Sequence, residues 1–358
     1  MSHCCSSIIK RKAVKMKRKF FGLIIAALVV SLMAGTALAE KLVLINGAGA
    51  TFPYPLYSKW FYEYAKIDGG VNFNYQSIGS GGGIKQISSQ TVDFGASDGA
   101  LTDEQLKQAP GELLHIPMTA GAVVITYNLP QISQRLKFSP DAVAGIFLGK
   151  IKKWNDPEIS NDNPEVRLPN DNIIVAHRSD GSGTTNIFTD YLSSVSSAWK
   201  TRVGKGTSVE WPTGLGGKGN EGVSGLVKQT PGSIGYVELA YAVNNKLLYA
   251  DIKNKSGNFI TPSIATTTAA INGKVNSMPA DFRVSLVNPD GADAYPISGV
   301  TWILVYKNQP DKIKGKKMVE FLRWAITDGQ KYSADLLYAP LPDSMVKKIE
   351  EKIDQITY

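Results

Sequence analysis

The chain has 358 residues, 43% hydrophobic and 20% charged, with 34 Gly and 18 Pro. That is ordinary for a globular protein of about two domains and excludes collagen, coiled coil and wholesale disorder. The net charge of +8 would suit a nucleic-acid or acidic-membrane partner. However, residues 1–39 carry seven Lys or Arg and no acid, which leaves 32 Lys+Arg against 31 Asp+Glu. From Glu40 onward the chain is nearly neutral, so no nucleic-acid partner is expected.

The basic segment reads as a secretory signal. Bases end at Lys19, the apolar run 20–34 follows, and Ala37-Leu38-Ala39 offers a small-x-small cleavage site before Glu40. The alternative is an uncleaved anchor, although the run falls short of the ~20 residues that span a bilayer as a helix. Met16 opens a second, more typical signal and is an alternative start. Cys4 and Cys5 are the only cysteines and leave with the signal. The exported protein must therefore stand without disulfides or cysteine-bound metal. The expectation is a soluble periplasmic protein cleaved after Ala39.

After Glu40, short β-branched runs alternate with helical stretches, the pattern of an α/β fold. Residues 41–46 predict a strand, which meets a Gly-Ala-Gly-Ala turn. A helix starts near Pro53, with Leu56, Trp60, Phe61 and Tyr64 on one face. Residues 71–78 read as a strand, 79–83 as a loop, 84–90 as a short helix and 92–96 as a strand. Thr102-Asp103-Glu104-Gln105 supplies a capping box for the next helix. The apolar run 116–128 ends at Leu129-Pro130, a crossing point between lobes. Beyond it, Ser139-Pro140-Asp141 starts a helix, 172–176 is a strand and 184–195 a helix. Segments 221–229 and 233–238 continue the alternation. Strand 300–306 precedes an amphipathic helix over 313–326, and 343–356 closes the chain as a helix.

Three segments join a strand end to a helix start through small and hydroxyl residues: 47–52 (GAGATF), 79–83 (GSGGG) and 178–185 (RSDGSGTT). Helix-start N–H groups bind anions, glycine admits the ligand to the backbone, and Ser or Thr can cap or donate. Singly, each is explained by ordinary capping; three together favour an oxyanion site. None is a P-loop, because no Gly-Lys-Ser/Thr closes it, and 47–52 lacks the third glycine of a dinucleotide fingerprint. A hydrolase elbow is missing too. His115 reads as a core residue, and His177 should point away from Arg178 on the same strand. Arg178 and Asp180 form either a surface salt bridge or an oriented guanidinium for an oxyanion. Asp98 could cap a helix or accept from a ligand.

Segments 47–52, 78–83 with Lys85-Gln86-Ile87, 92–98 (VDFGASD), 178–184 (RSDGSGT), 214–220 (GLGGKGN), 232–238 (GSIGYVE) and 341–344 (LPDS) together resemble the periplasmic phosphate-binding proteins of bacterial Pst ABC transporters. The match runs in consistent order along the exported chain. It implies an α/β, two-lobed periplasmic-binding-protein fold, type II-like, with the ligand in the interlobe cleft. Lobe 1 would be 40–126 with 297–358, and lobe 2 127–296. It further implies a non-enzymatic monomer without cofactor that binds inorganic phosphate. Delivery would be to the inner-membrane permease subunits of a phosphate ABC importer and their cytoplasmic ATPase. Carried over by position, Thr51 and Phe52 contact phosphate through hydroxyl and backbone donors, and Ser80 donates. Asp98 accepts the ligand's proton, and Arg178 supplies the charge, steered by Asp180. Ser182, Gly183 and Thr184 donate from their helix start. Gly99 and His177 depart from the family's common alanine and second arginine.

Overall fold

The computed structural model describes residues 42–358; the expected signal, 1–39, lies outside them. The chain opens with β1 (Val43–Gly49), α1 (Tyr54–Ile67), β2 (Val71–Ser77), α2 (Ser80–Ser88), β3 (Phe94–Ser97) and α3 (Asp103–Gln108). A long strand, β4 (Leu113–Asn128), leads to β5 (Lys137–Phe138), α4 (Pro140–Phe147), α5 (Pro157–Ser160) and β6 (Ile174–Arg178). Next come α6 (Gly183–Val195), α7 (Ser197–Arg202), β7 (Leu215–Gly217), α8 (Gly219–Gln229), β8 (Ser233–Glu238) and α9 (Leu239–Asn244). Short β9 (Leu248–Tyr249), β10 (Asp251–Lys253) and β11 (Phe259–Ile260) precede α10 (Ile264–Asn272). The chain ends with β12 (Ser298–Tyr306), α11 (Lys312–Ile326) and α12 (Asp343–Ile353).

The main sheet runs β2-β1-β3-β12-β4-β8-β6-β7, with β9 also on β4, while β11-β10-β5 form a small second sheet. β4 holds it together by changing partner: up to Ala122 it pairs antiparallel with β12, and from Val123 with β8. Nearly every residue of β4 is buried, as a central strand covered on both faces requires. Pro117 cannot donate to a ladder, and the β4–β12 register slips opposite it, between Thr301 and Trp302. β1, β2 and β3 are mutually parallel, as are β6, β7 and β8. The ends of β1, β2, β3 and β6 are therefore where helices start and ligands bind in such sheets.

The expected α/β alternation holds, with informative differences at the boundaries. The first strand continues through Gly49 rather than turning at Gly47. The glycine run 79–83, read as a loop, is mostly the first turn of α2, which begins at Ser80. Three glycines weaken a helix intrinsically, but here they let it lie on the strands: a Cβ on Gly83 would stand 2.6 Å from the Ala48 carbonyl oxygen. α1 buries Leu56, Trp60 and Tyr64 as its spacing predicts, and Thr102 and Gln105 form the expected capping box. Among the described residues no helix is long and apolar enough to cross a membrane.

Candidate functional site

The ends of β1, β3 and β6 and the starts of α2, α6 and α8 converge on buried polar groups. Thr51, Ser80, Asp98, Arg178, Ser182, Thr184 and Asn220 are each at most 4% exposed. Burial of this kind is unfavourable unless every group is paired.

Arg178, the last residue of β6, is gripped by Asp180: Nε donates to Oδ1 at 2.7 Å and Nη2 to Oδ2 at 2.5 Å. The remaining nitrogen, Nη1, donates to Thr184 Oγ1 at 3.3 Å. Gly219 N–H also donates to Asp180 Oδ1, at 3.0 Å. Burial would raise the Asp180 pKa, but the hydrogen bonds and charge of Arg178 outweigh it and hold the carboxyl below its usual value. The pair is thus a buried, bidentate ion pair and not a surface salt bridge. His177, one residue earlier, is half-buried and stacks on Trp211 at 4.9 Å, away from this cluster as the strand alternation predicts.

Asp98 follows β3 and is 3% exposed. Thr301 Oγ1 donates to Oδ1 at 2.8 Å, and Ser80 Oγ lies 3.5 Å from Oδ2. Desolvation pushes the Asp98 pKa up to about 7, although Thr301, the Arg178 charge and Ser80 pull the other way. Thr301 sits beside the slip in the β4–β12 register.

The hydroxyls share one property. Thr51 Oγ1 accepts from Asn220 Nδ2 at 2.7 Å and from Asn220 N–H at 3.2 Å. Ser80 Oγ accepts from Gly183 N–H at 3.0 Å and Asp98 N–H at 3.2 Å. Thr184 Oγ1 accepts from Arg178 Nη1 and, at 3.2 Å, from Asn220 Nδ2. A hydroxyl has two lone pairs and one proton, so each of these three has only its proton left to direct, and that of Ser80 points to Asp98 Oδ2. Ser182 Oγ caps α6 by accepting from Thr185 N–H at 3.0 Å. The cluster is therefore rich in donors, with the Asp98 carboxyl as an acceptor among them, outside the Arg178–Asp180 ion pair. Its formal charges nearly cancel, so attraction for an anion comes from oriented dipoles.

The other expected residues have distinct roles. The Phe52 ring is fully buried and its carbonyl accepts from Tyr338 O–H at 2.6 Å, so any ligand contact runs through its N–H. Gly183 N–H is engaged with Ser80. Asn220, Thr301, Glu238 and Tyr338 carry part of the network, yet sequence reasoning gave them no role. Asn220 and Glu238 sat inside segments 214–220 and 232–238, whereas Thr301 looked like any strand threonine. His115 is a core residue: it is 2% exposed and its Nε2 accepts from Leu101 N–H at 3.1 Å. Among the described residues no group of three or more His, Cys, Asp or Glu could hold a metal ion.

A family model described as a PBP superfamily domain matches residues 34–328. The chain is 47% identical over 311 residues to the phosphate-binding protein PstS of Xylella fastidiosa strain 9a5c, covering 87% of this chain and 85% of that one. It is 46% identical over 326 residues to PstS of Pasteurella multocida, covering 91% and 94%. The fold matches the structure of a high affinity periplasmic phosphate-binding protein bound with phosphate. That match has a TM-score of 0.68 at 22% identity and covers 86% of this chain and 93% of that one. A phosphate-binding protein from Stenotrophomonas maltophilia matches with a TM-score of 0.66 at 20% identity, again over 86% and 93%. The architecture is that of the mixed α/β periplasmic binding proteins. Within that superfamily, the chain belongs to the phosphate-binding protein PstS family.

Proposed function

We propose that this protein captures inorganic phosphate in the periplasm and delivers it to an inner-membrane ABC phosphate importer. It is a binding protein of a substrate-binding family and not an enzyme. The observation that carries the reading is the set of hydroxyls on Thr51, Ser80 and Thr184, each with its acceptor capacity filled, beside the Asp98 carboxyl, which lies outside the Arg178–Asp180 ion pair. Such a set suits a tetrahedral oxyanion that still carries a proton.

In this reading Arg178 meets one edge of the phosphate, held in place by Asp180. Thr51, Ser80, Ser182 and Thr184 donate hydroxyl protons, and the N–H groups of Phe52 and Thr184 complete the shell, while the Gly183 N–H stays on Ser80 Oγ and aims that hydroxyl. Asp98 takes the hydrogen bond from the phosphate O–H. Its pKa, pushed up to about 7 by desolvation, lies near phosphate's own second ionisation, which suits a single proton held between the two. Sulfate is fully ionised and brings none, and opposing two negative oxygens in a buried site costs several kcal/mol.

The lobes would be 40–126 with 297–358, and 127–296, moving about a hinge. The partner change of β4 at Ala122 and Val123 supports a hinge there. The protein would act as a monomer, with residues 1–39 cleaved after Ala39. It would hand phosphate to the permease subunits, which are coupled to their cytoplasmic ATPase, and bind no nucleic acid. Calorimetry on ligand-stripped residues 40–358 tests the reading. One-to-one phosphate binding without a sulfate signal is expected; absence of phosphate binding overturns it.

A further inference from the structure

Asn220 is a fully buried amide near the start of α8, and its neighbours fix which end is which. The backbone N–H of Glu238 donates to Oδ1 at 2.9 Å. A backbone N–H can only donate, so the oxygen must face β8 and the NH2 must face the other way. Nδ2 then reaches Thr51 Oγ1 at 2.7 Å and Thr184 Oγ1 at 3.2 Å, bridging the loop after β1 and the start of α6. With those lone pairs occupied, both hydroxyls turn their protons elsewhere.

We infer that Asn220 is a positioning residue for anion binding: its amide, oriented by the Glu238 backbone, sets the Thr51 and Thr184 hydroxyls as obligate donors to the ligand. This rests on the phosphate reading above and deepens it, because the polarity of the site is then set by a residue outside the ligand shell.

Two variants separate this role from packing. Asn220→Asp keeps the size and the acceptor for Glu238 N–H, but puts a carboxylate oxygen where the NH2 was. The hydroxyl protons then turn to it and present lone pairs to the phosphate. Asn220→Ala removes the clamp and leaves the hydroxyls free to donate. Calorimetric phosphate affinity at pH 8 should fall at least about tenfold further in Asn220→Asp than in Asn220→Ala, although the latter removes more atoms. In a Thr51→Val background, the penalty of either substitution should shrink, since the hydroxyl it acts through has gone. Equal or greater loss in Asn220→Ala, with wild-type binding intact, overturns the assignment alone. So does a penalty unchanged by Thr51→Val, a cycle that Asn220→Ala decides by itself if Asn220→Asp does not fold. Wild-type protein that takes up no phosphate overturns the underlying reading, and this assignment with it.

Discussion

Asp180 occupies one edge of the Arg178 guanidinium, through Nε and Nη2, and leaves Nη1 turned to the Thr184 hydroxyl. The carboxylate decides which face of the cation remains for a ligand and keeps it there at little rotamer cost. It also draws α8 in through Gly219 N–H, so one side chain orders β6, α6 and α8 about the same charge.

Replacing that carboxylate by an amide removes one acceptor and half of the ion pair. Asp180→Asn should weaken phosphate binding by roughly 1.5–3 kcal/mol, about ten- to a hundredfold, the range for a hydrogen bond to a charged group. Because Asp180 acts through the Arg178 charge and not through a proton, sulfate and phosphate should lose affinity together. Calorimetry with both anions checks this; a changed ratio would mean Asp180 also reads the ligand's protonation.

Asp98 should behave in the opposite way. Asp98→Asn should narrow the phosphate-to-sulfate affinity ratio more than it weakens phosphate binding, since an amide can donate to sulfate. The wild type should show the same trend with pH. Below the Asp98 pKa of about 7, the carboxyl gains a proton and can donate to sulfate. The ratio should therefore fall between pH 8 and pH 5 in the wild type and stay flatter in Asp98→Asn. A ratio unchanged by the mutation would remove Asp98 from selectivity.

Asp98 and Asp180 drew attention in the sequence because each lies just past a strand, within a segment whose neighbours are small and polar. The partners that define their chemistry did not. Thr301 reaches Asp98 from a strand 203 positions away, and nothing in the run around it distinguishes a threonine bonded to a buried carboxyl from a packed one. Asn220 lay in the glycine-rich segment 214–220, where nothing local marks it out until β8 places Glu238 N–H against it. The first turn of α2 misled for a related reason. Glycine lowers helix propensity locally, while the contact that makes glycine necessary, with the backbone of β1, is long-range.

Asp98 also links stability to pH in the ligand-free protein. Its folded pKa stands above the ordinary 3.8, so its contribution is fully present below that value and is lost as pH rises through about 7. His115, held down to about 4 by burial and by Arg283, works against this at acid pH. The difference between Asp98→Asn and the wild type cancels the histidine. The mutant should gain stability relative to wild type as pH rises from 5 to 8, by up to a few kcal/mol. Thermal unfolding of stripped protein measures it. A constant difference would mean that Asp98 is ionised in the folded state throughout that range.

Gly81 and Gly181 meet backbone to backbone: Gly81 N–H donates to the Gly181 carbonyl at 2.8 Å, and a Cβ on Gly81 would stand 3.0 Å from Gly181 Cα. The contact joins the start of α2 to the loop carrying Asp180, next to the Ser80–Gly183 hydrogen bond. In the phosphate reading these segments would lie on opposite lobes, and their contact would seal the mouth of the site. A methyl group there must push the two loops apart by a few tenths of an ångström and stretch both hydrogen bonds, and overpacking of this kind costs ~1–3 kcal/mol. The cost falls only on the closed form, because separated loops have room for the methyl. Gly81→Ala should therefore speed phosphate release about fivefold or more while leaving the association rate nearly unchanged. Stopped-flow measurement of both rates decides it. A slowed association with unchanged release would place the contact in the open form instead and remove its role as a seal.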